Sequence, residues 1–175
     1  MAGGYSLAII ICLGAVLMDL SAEKIDNLWI LTGLILGVIE RVFGGGGISS
    51  AIPDLLMGFF LPIVLLGSLY LFRMIGAGDI KLFCCIGVIA GWHACLACIL
   101  WSFLFGAVIS IYILCTCGDL LQRLQFLSTY IQNFILTKKR VPYIRPDRAG
   151  RETAYFHFTV PIFMSLMLWA GGIYS

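Results

Sequence analysis

The chain has 175 residues, of which 61% are hydrophobic and 11% charged, and its formal net charge is +2. A soluble domain of this composition would have to bury nearly all of its surface, so we exclude the soluble classes and expect a polytopic membrane protein. The small net charge gives no reason to expect nucleic acid as a partner. The seven cysteines lie in or at the ends of apolar runs. We expect them to pack as small hydrophobic residues rather than to bind metal or form disulfides.

Six apolar runs are long enough, or nearly so, to cross a bilayer. They lie at about 3–19, 27–43, 51–72, 80–92, 94–116 and 155–174. The segment between the last two runs begins with apolar residues spaced by threes and fours from Leu120, which predicts an amphipathic helix lying along the membrane surface. The predicted fold class is all-α, with six transmembrane helices and one interfacial helix in a single membrane-embedded domain, residues 1–175.

The basic residues give this bundle an orientation. The segments that join spans 1–2, 3–4 and 5–6 carry ten of the eleven Lys and Arg residues, whereas those that join spans 2–3 and 4–5 carry only Arg41. By the positive-inside rule the first set of segments faces the cytoplasm, and an even number of spans then places both termini outside. We therefore expect a multi-pass protein of the cytoplasmic membrane, with the interfacial helix on its inner surface.

Two acids lie at the cytoplasmic ends of their spans. Asp19 closes span 1 and Asp79 opens span 4, so this topology brings both carboxylates to one membrane surface. A carboxylate at the edge of the hydrocarbon is costly and is therefore a candidate functional group. Two neighbouring acids do not both ionise cheaply, and aspartic proteases use such a pair to activate water. Each acid also has a structural interpretation: Asp19 as a helix cap or partner of Lys24, and Asp79 as the N-cap of span 4 or partner of Lys81.

Two glycines precede the second acid. Gly76 and Gly78 have no Cβ, so an extended peptide or another helix can approach the backbone beside Asp79 closely. His157, near the start of span 6, is interpreted as an interfacial polar residue.

These residues resemble a known family. The sequence GAGDIKL at residues 76–82 is similar to the G-x-G-D-x-K-L signature of the type IV prepilin peptidases, membrane aspartic proteases that remove the leader from pilin-like precursors. The segment 19–27 resembles their second pattern, D-x-R-x-x-x-I-P-N, and reproduces its Asp, Ile and Asn. The resemblance implies that Asp19 and Asp79 are catalytic, that cleavage follows a Gly of the precursor, and that no metal or cofactor takes part. The residues expected to support the site are Gly76, Gly78, Lys81, Asn27 and Asp26.

The chain departs from the family pattern at two positions. Ser21 stands where the pattern has Arg, and Asp26 stands where it has Pro. Asp26 is either a bystander or a third acid that raises the pKa of its neighbours, and it leaves open which acid pairs with Asp79. The longer family members carry an N-terminal region with paired C-x-x-C motifs, linked to methylation. This chain starts at span 1, so we expect the short, peptidase-only type similar to those of Tad/Flp-type pili, in a bacterial inner membrane.

The expected function is cleavage of the leader peptide from type IV prepilin or pilin-like precursors at the cytoplasmic face. An archaeal preflagellin-type peptidase remains an alternative. Presenilin-like proteases also contain G-x-G-D, but their motif has Tyr before the first acid, where this chain has Met18. A proton-coupled transporter is the alternative from another class, although it would place its paired acids near the midplane.

Overall fold

The computed structural model describes residues 2–22, 24–44, 48–71, 74–116 and 157–172, which contain six α-helices and no strand. The helices are α1 (Ala2–Ala22), α2 (Asn27–Gly44), α3 (Ile48–Leu71), α4 (Ala77–Ala90), α5 (Trp92–Thr116) and α6 (Thr159–Ala170). Helices α2, α3 and α5 contain stretches long and apolar enough to cross a membrane, and the apolar stretches Ser6–Ala22 of α1 and Thr159–Ala170 of α6 are shorter. The predicted all-helical membrane bundle is confirmed. The interfacial helix predicted from Leu120 lies outside the described residues.

The chain divides into two compact units. One comprises residues 1–106 and 157–175, and the other comprises residues 107–156. Every residue of the candidate site belongs to the first unit. The single peptidase domain expected for residues 1–175 stays a prediction.

Helix α4 is the central element of the first unit. It packs against α1, α2 and α3, and all eight residues from Leu82 to Ile89 are buried. Cys95 of α5 lies 3.4 Å, through its Sγ, from the carbonyl oxygen of Phe83 in α4. A helix that is covered on all sides must be apolar on all sides, which explains the lack of a polar face after residue 81.

Helices α3 and α4 cross with their backbones in direct contact. A Cβ added to Gly58 would overlap the carbonyl oxygen of Gly87, and one added to Gly87 would overlap that of Gly58. Only glycine permits so close an approach. Helix α4 then ends at Gly91, whose φ of 92° is left-handed, and α5 begins at the next residue, two residues before the predicted start of that span.

The end of the bundle opposite the two acids carries an ion pair. Arg41, near the end of α2, places Nη2 3.0 Å from Oδ2 of Asp54 in α3. Its Nη1 lies 3.5 Å from the carbonyl oxygen of Ile89, near the end of α4. This pair ties the ends of α2 and α4 to α3 and neutralises the arginine.

Candidate active site

Asp19 is held by residues at the start of α6. It lies in the last turn of α1, with a side chain that is 17% exposed. The hydroxyl of Thr159, the first residue of α6, donates a hydrogen bond to Asp19 Oδ2 at 2.7 Å. His157 Nδ1 lies 3.1 Å from the same oxygen. The predicted partner Lys24 is exposed, and the described contacts of Asp19 come from α6 and the residues just before it.

Asp79 is the third residue of α4, and Gly76 rather than Asp79 is the N-cap of that helix. An acid in the first turn is stabilised by the N-terminal end of the helix dipole. Asp79 precedes the apolar span predicted from residue 80. Burial and, as a smaller effect, the nearby carboxylate of Asp19 raise the pKa of Asp79 to about 6, whereas a hydrogen bond from the backbone N–H of Gly76 lowers this pKa. The two acids therefore lie close enough to interact electrostatically.

The two sequence motifs pack directly against each other. A Cβ placed on Gly78 would lie 3.3 Å from Cδ1 of Ile25, so the absence of a side chain at 78 makes room for that isoleucine. Lys81 Nζ donates a hydrogen bond to Asn27 Oδ1 at 2.7 Å. Asn27 begins α2, and Lys81 bonds to it rather than to Asp79. The Ile and Asn of the segment 19–27 thus fix the start of α2 to the start of α4.

Asp26 has a structural role of its own. It is exposed, and its Oδ1 accepts a hydrogen bond from the backbone N–H of Leu28 at 3.2 Å. This is how an N-cap residue satisfies the second N–H of a helix. This bond gives Asp26 a place at the start of α2, as the bystander interpretation expects, and its part in the chemistry stays a prediction.

Sequence reasoning missed the contacts before and at the start of α6. His157 was interpreted only as an interfacial residue, and Thr159 was not singled out. Between them, the ring of Phe158 packs 6.5 Å from that of Phe83 and 5.4 Å from that of Phe103. The charge-based topology already placed the start of span 6 at the membrane surface of the two acids, which was the one signal that pointed to these residues.

The chain matches the type IV leader peptidase family over residues 6–111, more than half of its length, and so belongs to this family of peptidases. The match includes both acids and ends before α6. A prepilin leader peptidase/N-methyltransferase of Pseudomonas putida is 30% identical over 105 residues, which cover 56% of this chain and 35% of that relative. The chain thus matches about a third of the length of this curated relative. No solved structure matches the chain.

The raised pKa of Asp79 predicts how stability depends on pH. Protonated Asp79 stabilises the fold relative to the ionised form, so its contribution is complete below about pH 4 and is lost as the pH rises through about 6. Two pH units correspond to at most about 3 kcal/mol. In thermal unfolding between pH 4 and pH 8, the unaltered protein should lose stability relative to Asp79→Asn, which cannot ionise. Parallel curves for the two proteins would contradict this prediction.

Proposed function

We propose that this protein is a membrane aspartic endopeptidase that removes the leader from type IV prepilin or pilin-like precursors, with Asp19 and Asp79 as its catalytic pair. The observation that carries the proposal is the position of both acids at one end of the bundle, Asp19 in the last turn of α1 and Asp79 in the first turn of α4, near enough for the carboxylate of Asp19 to raise the pKa of Asp79. The family supplies the reaction class, and the relative from Pseudomonas putida, a prepilin leader peptidase, supplies the class of substrate.

In the proposed reaction a water molecule lies between the two carboxyl groups, one ionised and one protonated. The ionised acid takes a proton from the water while the oxygen of the water attacks the scissile carbonyl carbon. The protonated acid gives its proton to the carbonyl oxygen. When the tetrahedral intermediate collapses, the acid that took the proton from water gives it to the leaving amine. The other acid takes back the proton that it gave to the carbonyl oxygen. An acid whose pKa is raised suits the donor role, and burial together with the carboxylate of Asp19 raises the pKa of Asp79 to about 6.

The proposed orientation places this end of the bundle at the cytoplasmic surface, where the hydrophobic helix of a precursor would leave its leader. The distribution of Lys and Arg residues supports it. Among the described residues, Lys24 and Lys81 accompany the acids, whereas the opposite end has Arg41, which is paired with Asp54. The predicted approach of the scissile peptide past Gly76 and Gly78 remains part of the proposal.

The test is a cleavage assay in membranes or detergent, with a pilin precursor that carries a short basic leader and with the product read by mass. The unaltered protein should release the leader, and Asp79→Asn should not. Cleavage by both proteins would show that the reaction does not need Asp79. If neither protein cleaves a panel of such precursors, including preflagellin-like ones, the proposed activity is wrong and a transport assay for protons becomes the next experiment.

Replacing Asp26 by the proline of the family pattern should preserve processing. The change removes the side-chain cap of α2, so we expect Asp26→Pro to lower stability by about 1 kcal/mol and to leave the rate of leader release within a few-fold of normal. The same cleavage assay, with thermal unfolding alongside, measures both quantities. Complete loss of processing in a folded Asp26→Pro protein would show that Asp26 takes part in the chemistry.

A further inference from the structure

Two side chains outside both sequence motifs meet one catalytic candidate at a single oxygen. Thr159 Oγ1 lies 2.7 Å and His157 Nδ1 3.1 Å from Oδ2 of Asp19. Neither of these two contacts uses Oδ1. Thr159 is fully buried, and the side chains of His157 and Asp19 are 22% and 17% exposed. The cluster is therefore largely shielded from bulk water. Hydrogen bonds to a carboxylate are stronger in such a shielded site than at an exposed surface.

Aromatic packing anchors this cluster in the fold. Phe158, which separates the two donors, packs against the rings of Phe83 in α4 and Phe103 in α5. Phe83 is fully buried and lies one turn after Asp79. The start of α6 is thus fixed to the same helix that carries the second acid, and the positions of His157 and Thr159 are set relative to both carboxylates.

The two acids have different surroundings. The described contacts of Asp19 are two side chains that can donate hydrogen bonds, whereas Asp79 is affected by burial, by Asp19 and by one backbone N–H. Donors to a carboxylate favour its ionised form, and burial favours the protonated form. The other charged or titratable side chains at this end, within the described residues, are Lys24, Asp26 and Lys81; Asp26 caps α2 and Lys81 bonds to Asn27.

We propose that His157 and Thr159 are positioning residues that hold Asp19 ionised, so that Asp19 is the base of the pair and Asp79 is the acid. This assignment rests on the proposed peptidase function. An ionised carboxylate only accepts hydrogen bonds, so the Thr159 hydroxyl donates to it and Nδ1 of His157 carries a hydrogen. Asp19 then takes the proton of the attacking water, and Asp79 gives its own proton to the carbonyl oxygen.

The first test compares Thr159→Val, which keeps the shape of the side chain and removes the hydroxyl, with Thr159→Ser, which keeps the hydroxyl. Loss of the donor makes Asp19 easier to protonate. We expect Thr159→Val to move the acid limb of the kcat profile upward by about one pH unit, which lowers kcat by about 10-fold in the acidic range. KM for the precursor should stay within about two-fold, and Thr159→Ser should keep the normal profile.

His157 is tested in the same assay. His157→Asn offers an amide N–H near the position of Nδ1 and does not titrate, whereas His157→Ala offers no donor. We expect His157→Asn to retain the acid limb of the unaltered protein and His157→Ala to move it upward. Thermal unfolding of each variant confirms that it is folded before its kinetics are compared.

A readout without substrate separates this proposal from the peptidase function. The infrared carboxyl band of Asp19, assigned by difference from Asp19→Asn, reports its protonation as the pH is changed. Its midpoint should rise in folded Thr159→Val and stay in place in Thr159→Ser. Unchanged midpoints in all variants, or equal kinetic defects in Thr159→Val and Thr159→Ser, would overturn the positioning role. Failure of the unaltered protein to cleave any precursor would overturn the peptidase function, on which the assignment of base and acid depends.

Discussion

Asp19→Asn and Asp79→Asn should each lower leader processing by at least about 10³-fold while the protein stays folded in the membrane. The two acids share one proton in the proposed reaction, so removing either one stops both proton transfers. For the same reason the double variant should be no slower than the single variants, because residues that act as a unit are not additive. Single-turnover cleavage of a precursor, read by mass, measures all three rates.

The chain offers a matched control for these variants. Asp26→Asn makes the same chemical change at an exposed acid near the same end of the bundle, and Asn caps a helix about as well as Asp. It should process the precursor at a normal rate. If Asp19→Asn or Asp79→Asn matched this control, the residue concerned would not belong to the catalytic pair.

Gly58→Val should disrupt the fold severely. Its Cβ would overlap the carbonyl oxygen of Gly87, which belongs to the backbone of α4 and has no rotamer with which to move aside. The two helices would have to separate along their contact. Overpacking a rigid site commonly costs 1–3 kcal/mol, and we expect at least about 3 kcal/mol for this backbone clash. The folded fraction in detergent and the thermal unfolding temperature measure the loss.

Gly67 provides the control on the same helix. A Cβ added there meets no atom within 4 Å, so Gly67→Ala should be neutral or stabilising, by up to about 1 kcal/mol from helix propensity. Gly58→Ala makes the same chemical change at the crossing point and should be clearly less stable than Gly67→Ala. Equal stability of these two alanine variants would show that α3 and α4 do not cross in close contact at Gly58.

The apolar helices of the bundle could be predicted from the sequence because their signal is local. A run of apolar residues long enough to cross the bilayer predicts a helix wherever it occurs. The apolar run predicted at 27–43 agrees with the helix Asn27–Gly44. The junction of α4 and α5 was harder. Gly91 ends α4 with a left-handed φ and α5 begins at the next residue, so no polar linker marks where one helix ends and the next begins.

The position of Asp19 and Asp79 at the same end of the bundle could also be predicted, because topology and motif spacing pointed to it independently. The donors to Asp19 could not. His157 and Thr159 lie 138 and 140 residues from Asp19 in the sequence, and their contact depends on how α6 packs against α1. The bond between Lys81 and Asn27 is of the same kind, since it joins residues 54 apart. Such contacts arise from helix packing and leave no local periodicity in the sequence.

The link between α1 and α2 has a consequence for how this chain tolerates changes in length. Four residues separate Ala22 from Asn27. Exposed turns of this kind normally accept insertions and deletions. Here the turn connects the helix of Asp19 to Ile25 and Asn27, which contact Gly78 and Lys81 on either side of Asp79. One residue more or less would change the register between the two acids, so this short surface turn works as a fixed-length spacer and should be among the segments least tolerant of insertion.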